Sequence, residues 1–166
     1  MSTIPWAERP PEQARLLNPA FIGALVWSSA NGYLGIRARG LPYPLAFVAM
    51  PIVLHKATRE SLPRAVSTSM VTWLTENTRA HVGFSDRARG LVPLVKDGIL
   101  FASNGSMLSL ADGHLSAAQR PRSVSRFERE ASDEVKSCMK RAEFVGKWFA
   151  GSGDYATIMA LWGVTP

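Results

Sequence analysis

The chain has 166 residues, 46% of them hydrophobic and 9% aromatic, enough to bury one substantial core at the usual size of a single domain. Its net charge of +6 comes mostly from arginine; that mild basic balance favours phosphate backbones or an acidic protein partner but carries no sequence specificity. The single cysteine, Cys138, excludes an internal disulfide and a cysteine-based zinc cluster, and reads as a small buried apolar residue.

The opening MSTIPWAERPPEQ is polar and proline-rich, so neither a signal peptide nor an anchor is expected and the cytoplasm is the expected compartment. Residues 1–11 lack a period and predict an extended arm whose Trp6 is free to anchor on a partner or on the domain body. Residues 12–166 are expected to form one compact helical domain. From Glu12 to Ser29, Leu16, Leu17, Phe21, Leu25 and Val26 recur at helical spacing, interrupted by Asn18-Pro19, which predicts two short helical pieces or one kinked helix. Asn31-Gly32 and Arg39-Gly40 bracket a candidate short strand from Tyr33 to Ile36.

Residues 41–63, LPYPLAFVAMPIVLHKATRESLP, form an apolar run carrying prolines at 42, 44, 51 and 63. A spanning helix needs about 20 uninterrupted apolar residues, and the uncharged part ends at Leu54. The run is therefore expected to be buried in protein as a bent helix, with Pro44 in a first turn and Pro51 kinking the residues beyond it. Thr58 to Pro63 reads as a helix end or turn, and Ser67 to Asn77 as a helix with Met70, Val71, Trp73 and Leu74 on one face. Ser85 or Asp86 is placed to cap a further helix, in which Ala88, Leu91, Val92, Val95, Ile99, Leu100 and Phe101 form the apolar stripe down to an Asn104-Gly105 stop. Met107, Leu108 and Leu110 then precede an Asp112-Gly113 turn followed by His114 to Ala117, a strong hairpin signal. Helix plus hairpin, residues 85–118, suggest a winged-helix-like unit, so the expected fold class is mainly α with a small β-hairpin.

Beyond an arginine-rich connector carrying Arg120, Arg122, Arg126 and Arg129 against Glu128 and Glu130, Ser132 is placed to cap a helix from Asp133 to Ala150, ended by Gly151 and Gly153. Its predicted inward residues are Val135, Cys138, Met139, Ala142, Val145 and Phe149. Ile158, Met159, Leu161 and Trp162 are expected to dock a short terminal helix or strand on the core.

The residue pattern points away from catalysis. The thirteen carboxylates never cluster beside a nucleophile, and His55, His81 and His114 lie on different elements. No GxxxxGK[ST], GxGxxG or GxSxG pattern occurs, and no cofactor is expected. A recognition helix for DNA should present basic and amide groups; Arg87, Arg89, Lys96 and Asn104 make a thin set, so docking on protein is favoured over a stand-alone winged-helix DNA-binding regulator.

The segments RPPEQARLLNPAF (9–21), LPYPLAFVAMPIVLHKATRESLPR (41–64), WLTEN (73–77), RARGLVPLVKDGILFASNGSMLSL (87–110) and WFAGSGDYATIMALWGVTP (148–166) resemble the middle component of bacterial three-component ABC-ATPase systems. These are small proteins encoded beside an SMC-like ABC ATPase and an effector, with the accessory subunit of Lamassu anti-phage defence as a relative. The resemblance implies a non-catalytic adaptor that docks on the ATPase, holds an effector nuclease inactive, and releases it when foreign double-stranded DNA engages the complex. Under that implication Trp6, the turn of Leu41, Pro42, Tyr43 and Pro44, and Trp162 are candidate partner contacts, and Arg120, Arg122, Arg126 and Arg129 are candidate contacts to DNA held by the complex.

Overall fold

The computed structural model describes residues 18–165. The arm expected at 1–11, with its Trp6, and the helical turn expected over residues 12–17 lie outside the described residues. Within them the protein is mainly α-helical with a small antiparallel sheet.

Helix α1 (Pro19–Ile36) starts with Pro19 in its first turn and Asn18 as N-cap, Asn18 Oδ1 accepting the Ala20 N–H at 2.8 Å. Asn18-Pro19 is thus a helix start. Every residue from Ile22 to Ala30 is buried, because α1 runs between two other long helices, α5 (Phe84–Asn104) and α7 (Asp133–Ala150). Both contacts depend on missing side chains. A Cβ on Gly146 of α7 would lie 1.9 Å from the Ser29 carbonyl oxygen, and one on Gly32 of α1 would lie 2.2 Å from the Glu143 carbonyl oxygen. On the other side, a Cβ on Gly98 of α5 would lie 2.5 Å from Ile22 Cγ2. This corrects the strand expected at Tyr33–Ile36: Asn31-Gly32 resembles a turn, but Gly32 sits inside the helix to let the α7 backbone approach, and residues 33–36 complete α1.

The strand is displaced to β1 (Leu41–Pro42), where the chain enters the Pro-rich segment. Strands β2 (Leu108–Ala111) and β3 (His114–Ala117) form the expected hairpin, with Asp112 and Gly113 both at positive φ, 50° and 73°, as a two-residue turn requires. The sheet order is β1-β3-β2, all antiparallel, with Leu41 opposite Leu115 and Leu110 opposite Leu115 on the other side. Pro42, which cannot donate, lies on an edge strand, where that lack is tolerated.

Helix α2 (Tyr43–Leu54) runs through Pro51 and is interrupted at His55, which is extended; α3 (Lys56–Ser61) restarts immediately. Arg59 of α3, only 4% exposed, donates from Nη1 to the Val53 carbonyl at 2.7 Å, satisfying an acceptor at the end of α2, and from Nη2 to Glu134 of α7 at 3.3 Å. Next come α4 (Met70–Glu76), capped by Ser69, and a 3₁₀ turn at Thr78–His81.

Helix α5 begins at Phe84, not after Ser85 or Asp86. Gly83 at φ 66° starts it with no side-chain cap, and Asp86 lies in its first turn, where a carboxylate complements the helix dipole. The connector containing the arginines is largely helical, α6 (Arg122–Glu130), because Val124 is buried and Phe127, three residues on, stacks with Phe21 at 6.3 Å between ring centroids. Ser132 caps α7 as expected, and Asp154 caps a terminal helix α8 (Tyr155–Leu161). Among the described residues no helix is long and apolar enough to cross a membrane.

Candidate functional site

The LPYP turn is where the Pro-rich segment meets the hairpin. Leu41 is fully buried and pairs with β3, and the Tyr43 N–H donates to the Gly113 carbonyl at 2.8 Å. Pro42 is buried as well, leaving half-buried Tyr43 and Pro44 as the part of the turn that meets solvent. Tyr43 packs edge-on against Phe47, ring centroids 5.1 Å apart.

Trp162 is 1% exposed and sits in an aromatic cluster, 4.8 Å from Phe84, 6.1 Å from Trp73 and 6.0 Å from His81 between ring centroids, while Trp73 and Trp148 meet edge-on at 5.4 Å. The cluster fastens α8 to α4, α5 and α7, and Trp162 presents almost no surface. Two indole N–H groups are tied to backbone carbonyls, Trp148 to Thr68 in a loop at 2.7 Å and Trp73 to Ser61 at the end of α3 at 3.2 Å. The Nε1 of Trp162 is buried without a partner among the described residues.

The four candidate DNA-contacting arginines lie on or just before α6 and are exposed. Arg120 pairs with Glu128 and bonds Ser125 Oγ at 3.2 Å, and Arg126 pairs with Glu130 at 3.2 Å. Arg122 and Arg129 have no ion pair among the described residues, so they carry the unneutralised charge of this face.

The outer face of α5 adds a surface that periodicity does not anticipate. This helix turns Ile99 and Ala102 to the core and leaves Leu100 61% and Phe101 48% exposed, while Leu110 on the edge strand β2 is 53% exposed. The expectation that Leu100 and Phe101 belong to the buried stripe is thereby corrected. Four consecutive apolar residues, Ile99 to Ala102, cover more than one helical face, and only two can point inward. The outer face of α5 thus combines large apolar side chains with Arg89 and Lys96.

The three histidines are held apart by their own bonds. His81 Nε2 is 2.8 Å from the Leu161 carbonyl and His114 Nδ1 is 2.7 Å from the Asp112 carbonyl. His55 caps α3, its Nδ1 2.7 Å from Thr58 Oγ1 and accepting the Thr58 N–H at 3.4 Å. Burial, and then the positive charges of Arg87 and Arg59, hold its pKa below the ordinary histidine range. Among the described residues no three His, Cys, Asp or Glu side chains gather as a metal site. Cys138 is buried, and burial raises its thiol pKa, so the thiolate that nucleophilic chemistry needs is disfavoured.

No curated protein and no solved structure matches the chain. A family model described as ABC-three component (ABC-3C) system Middle Component 3 matches residues 6–166, nearly the full length, and the chain belongs to that family.

Proposed function

We propose that this protein is a non-catalytic adaptor in a cytoplasmic complex with an SMC-like ABC ATPase, related to Lamassu anti-phage defence. It bridges the ATPase and an effector nuclease and keeps the effector inactive until foreign DNA is sensed. The observation that carries this reading is the family match over residues 6–166: a middle component of a three-component ABC system has an ABC ATPase and an effector as its natural partners.

The fold supports docking on protein. Helix α1, strand β1, helix α2, helix α5 and the β2–β3 hairpin follow the order of a winged helix, with α3, α4 and a 3₁₀ turn inserted between α2 and α5, and the sheet order β1-β3-β2 puts the hairpin's second strand in the middle. The helix in the recognition position, α5, offers Leu100 and Phe101 to solvent. Large exposed apolar groups suit a protein surface better than a phosphate backbone. Any DNA contact by this chain is then peripheral, through Arg122 and Arg129, which make no ion pair among the described residues.

The test is co-expression of the tagged chain with the products of its neighbouring genes, followed by size-exclusion chromatography and mass identification. Co-elution with a coiled-coil ATPase is the expected result. Elution alone, together with tight and steeply salt-dependent binding to duplex DNA, would replace the adaptor by a stand-alone DNA-binding regulator. Within a complex, Leu100→Asp with Phe101→Ser should abolish assembly while the fold is retained. Changing Arg120, Arg122, Arg126 and Arg129 to Ala should weaken DNA binding only.

A further inference from the structure

A cavity of about 720 Å³ opens between α3 and the segment that links α4 to α5. Its wall carries three nitrogen-bearing cationic or potentially cationic side chains, His55, Arg79 and Arg87, against one carboxylate, Glu76. Arg87 is the unusual member. Its Nη1 donates to the Val82 carbonyl at 2.7 Å, and its guanidinium lies over the Phe84 ring at 5.9 Å. The remaining edge, Nε and Nη2, is buried with no hydrogen-bond partner among the described residues.

Those two nitrogens are the side-on fork of the guanidinium, with two parallel N–H groups spaced to match the two oxygens of a carboxylate. Leaving them desolvated and unpaired is costly, and most buried polar groups in folded proteins are satisfied. Glu76 does not supply the partner: it makes no ion pair with Arg87 among the described residues. Arg87 also lines a second, smaller cavity beside Leu54 and Leu91, and receiving a ligand from the larger one requires its side chain to turn.

The surroundings favour a carboxylate. The Thr58 N–H and Oγ1 both lie against His55 Nδ1, at 3.4 Å and 2.7 Å, which leaves the ring's Nε2 as the nitrogen available to a ligand. Arg79 adds a second positive charge. Val82, 70% exposed, and Ala57 give the rim an apolar lip that suits the methylene stem of an acidic side chain. With Glu76 on the wall, the net charge is small, which fits a singly charged carboxylate better than a doubly charged phosphate.

We propose that this cavity is a carboxylate pocket, in which the Nε/Nη2 fork of Arg87 receives an aspartate or glutamate side chain of a protein partner. The identity of the donor as a partner rests on the adaptor reading above. The binding itself is measured on the isolated full-length chain, so the two stand or fall separately.

The experiment titrates the ¹⁵N-labelled chain with N-acetylglutamate amide, following the Arg87 Nε–H and His55 ring resonances at constant ionic strength. A saturable shift is expected with the blocked glutamate, none with blocked glutamine, and a loss in affinity of about tenfold or more in Arg87→Gln. Arg87→Lys, which keeps the charge and the fold but lacks the fork, should also bind at least several-fold more weakly. Absence of a saturable shift, an equal shift with blocked glutamine, or unchanged binding by Arg87→Lys would overturn the assignment. So would inorganic phosphate binding tenfold more tightly than the blocked glutamate.

Discussion

Replacing Gly146 by alanine tests the packing that organises this fold. The added Cβ would lie 1.9 Å from the Ser29 carbonyl oxygen, 2.8 Å from its carbon and 3.0 Å from the Tyr33 nitrogen, all of them backbone atoms of α1. No rotamer change relieves such a contact, so α1 and α7 must part by about 1 Å, loosening the close-packed layer on both sides of α1. Overpacking of this kind costs about 1–3 kcal/mol, and because the clash is with backbone the upper end, about 3 kcal/mol, applies. For a chain of this size that lowers Tm by roughly 6–12 °C. Gly90 is the control. It lies in the interior of α5, exposed, with nothing within 4 Å of an added Cβ, so Gly90→Ala should stabilise by about 0.5–1 kcal/mol through helix propensity alone. Thermal and urea denaturation of the two variants should give shifts of opposite sign. A loss of less than about 1 kcal/mol in Gly146→Ala, or shifts in the same direction, would refute the close approach of α1 and α7.

Trp162→Ala should cost about 3–5 kcal/mol by emptying the aromatic cluster, and Trp162→Phe considerably less, since it also removes the unpartnered buried Nε1; a fully stable Trp162→Ala that fails to assemble would make Trp162 a partner contact. Cys138 should react with a thiol reagent such as Ellman's only on unfolding, because burial keeps it covered and protonated; rapid native-state labelling would contradict this. The depressed pKa of His55 means that the folded state disfavours its charged form. Its contribution is therefore full above the ordinary histidine pKa and is lost as pH falls through the lower folded value. Urea midpoints at pH 7.5 and 5 should differ less in His55→Asn, which keeps a capping acceptor, than in the parent; equal differences would remove His55 as a source.

The elements most legible in the sequence are those whose signals are local. Asp112-Gly113 between apolar residues specifies a hairpin, and Ser132 followed by a periodic stripe specifies α7, because turn and cap chemistry act over a few residues. The less legible elements depend on distant neighbours. Gly32 looks like a turn residue until Glu143, more than a hundred positions away, is seen to need the space its side chain would fill. Helix α6 hides behind its charges, since among the described residues Val124 and Phe127 are the hydrophobic side chains that tie it to the core. At the candidate site, the LPYP turn is legible as a turn, but that Leu41 and Pro42 are buried by the hairpin is a tertiary fact. The exposure of Leu100 and Phe101, and the unpaired fork of Arg87, come from how α5 is rotated against α1 and α2, which helical periodicity alone does not determine.

The burial of α1 between α5 and α7 has a consequence for biosynthesis. Helix α1 is complete at residue 36, but its last covering helix ends only at residue 150. At ordinary elongation rates the ribosome takes roughly 5–25 s to cross that interval. Until α7 is made, a helix buried from Ile22 to Ala30 lacks one of the two surfaces that will enclose it. The nascent chain therefore needs shielding before it has a fold, whether from a chaperone or from a partner made beside it, and the order of synthesis becomes part of how its assembly begins.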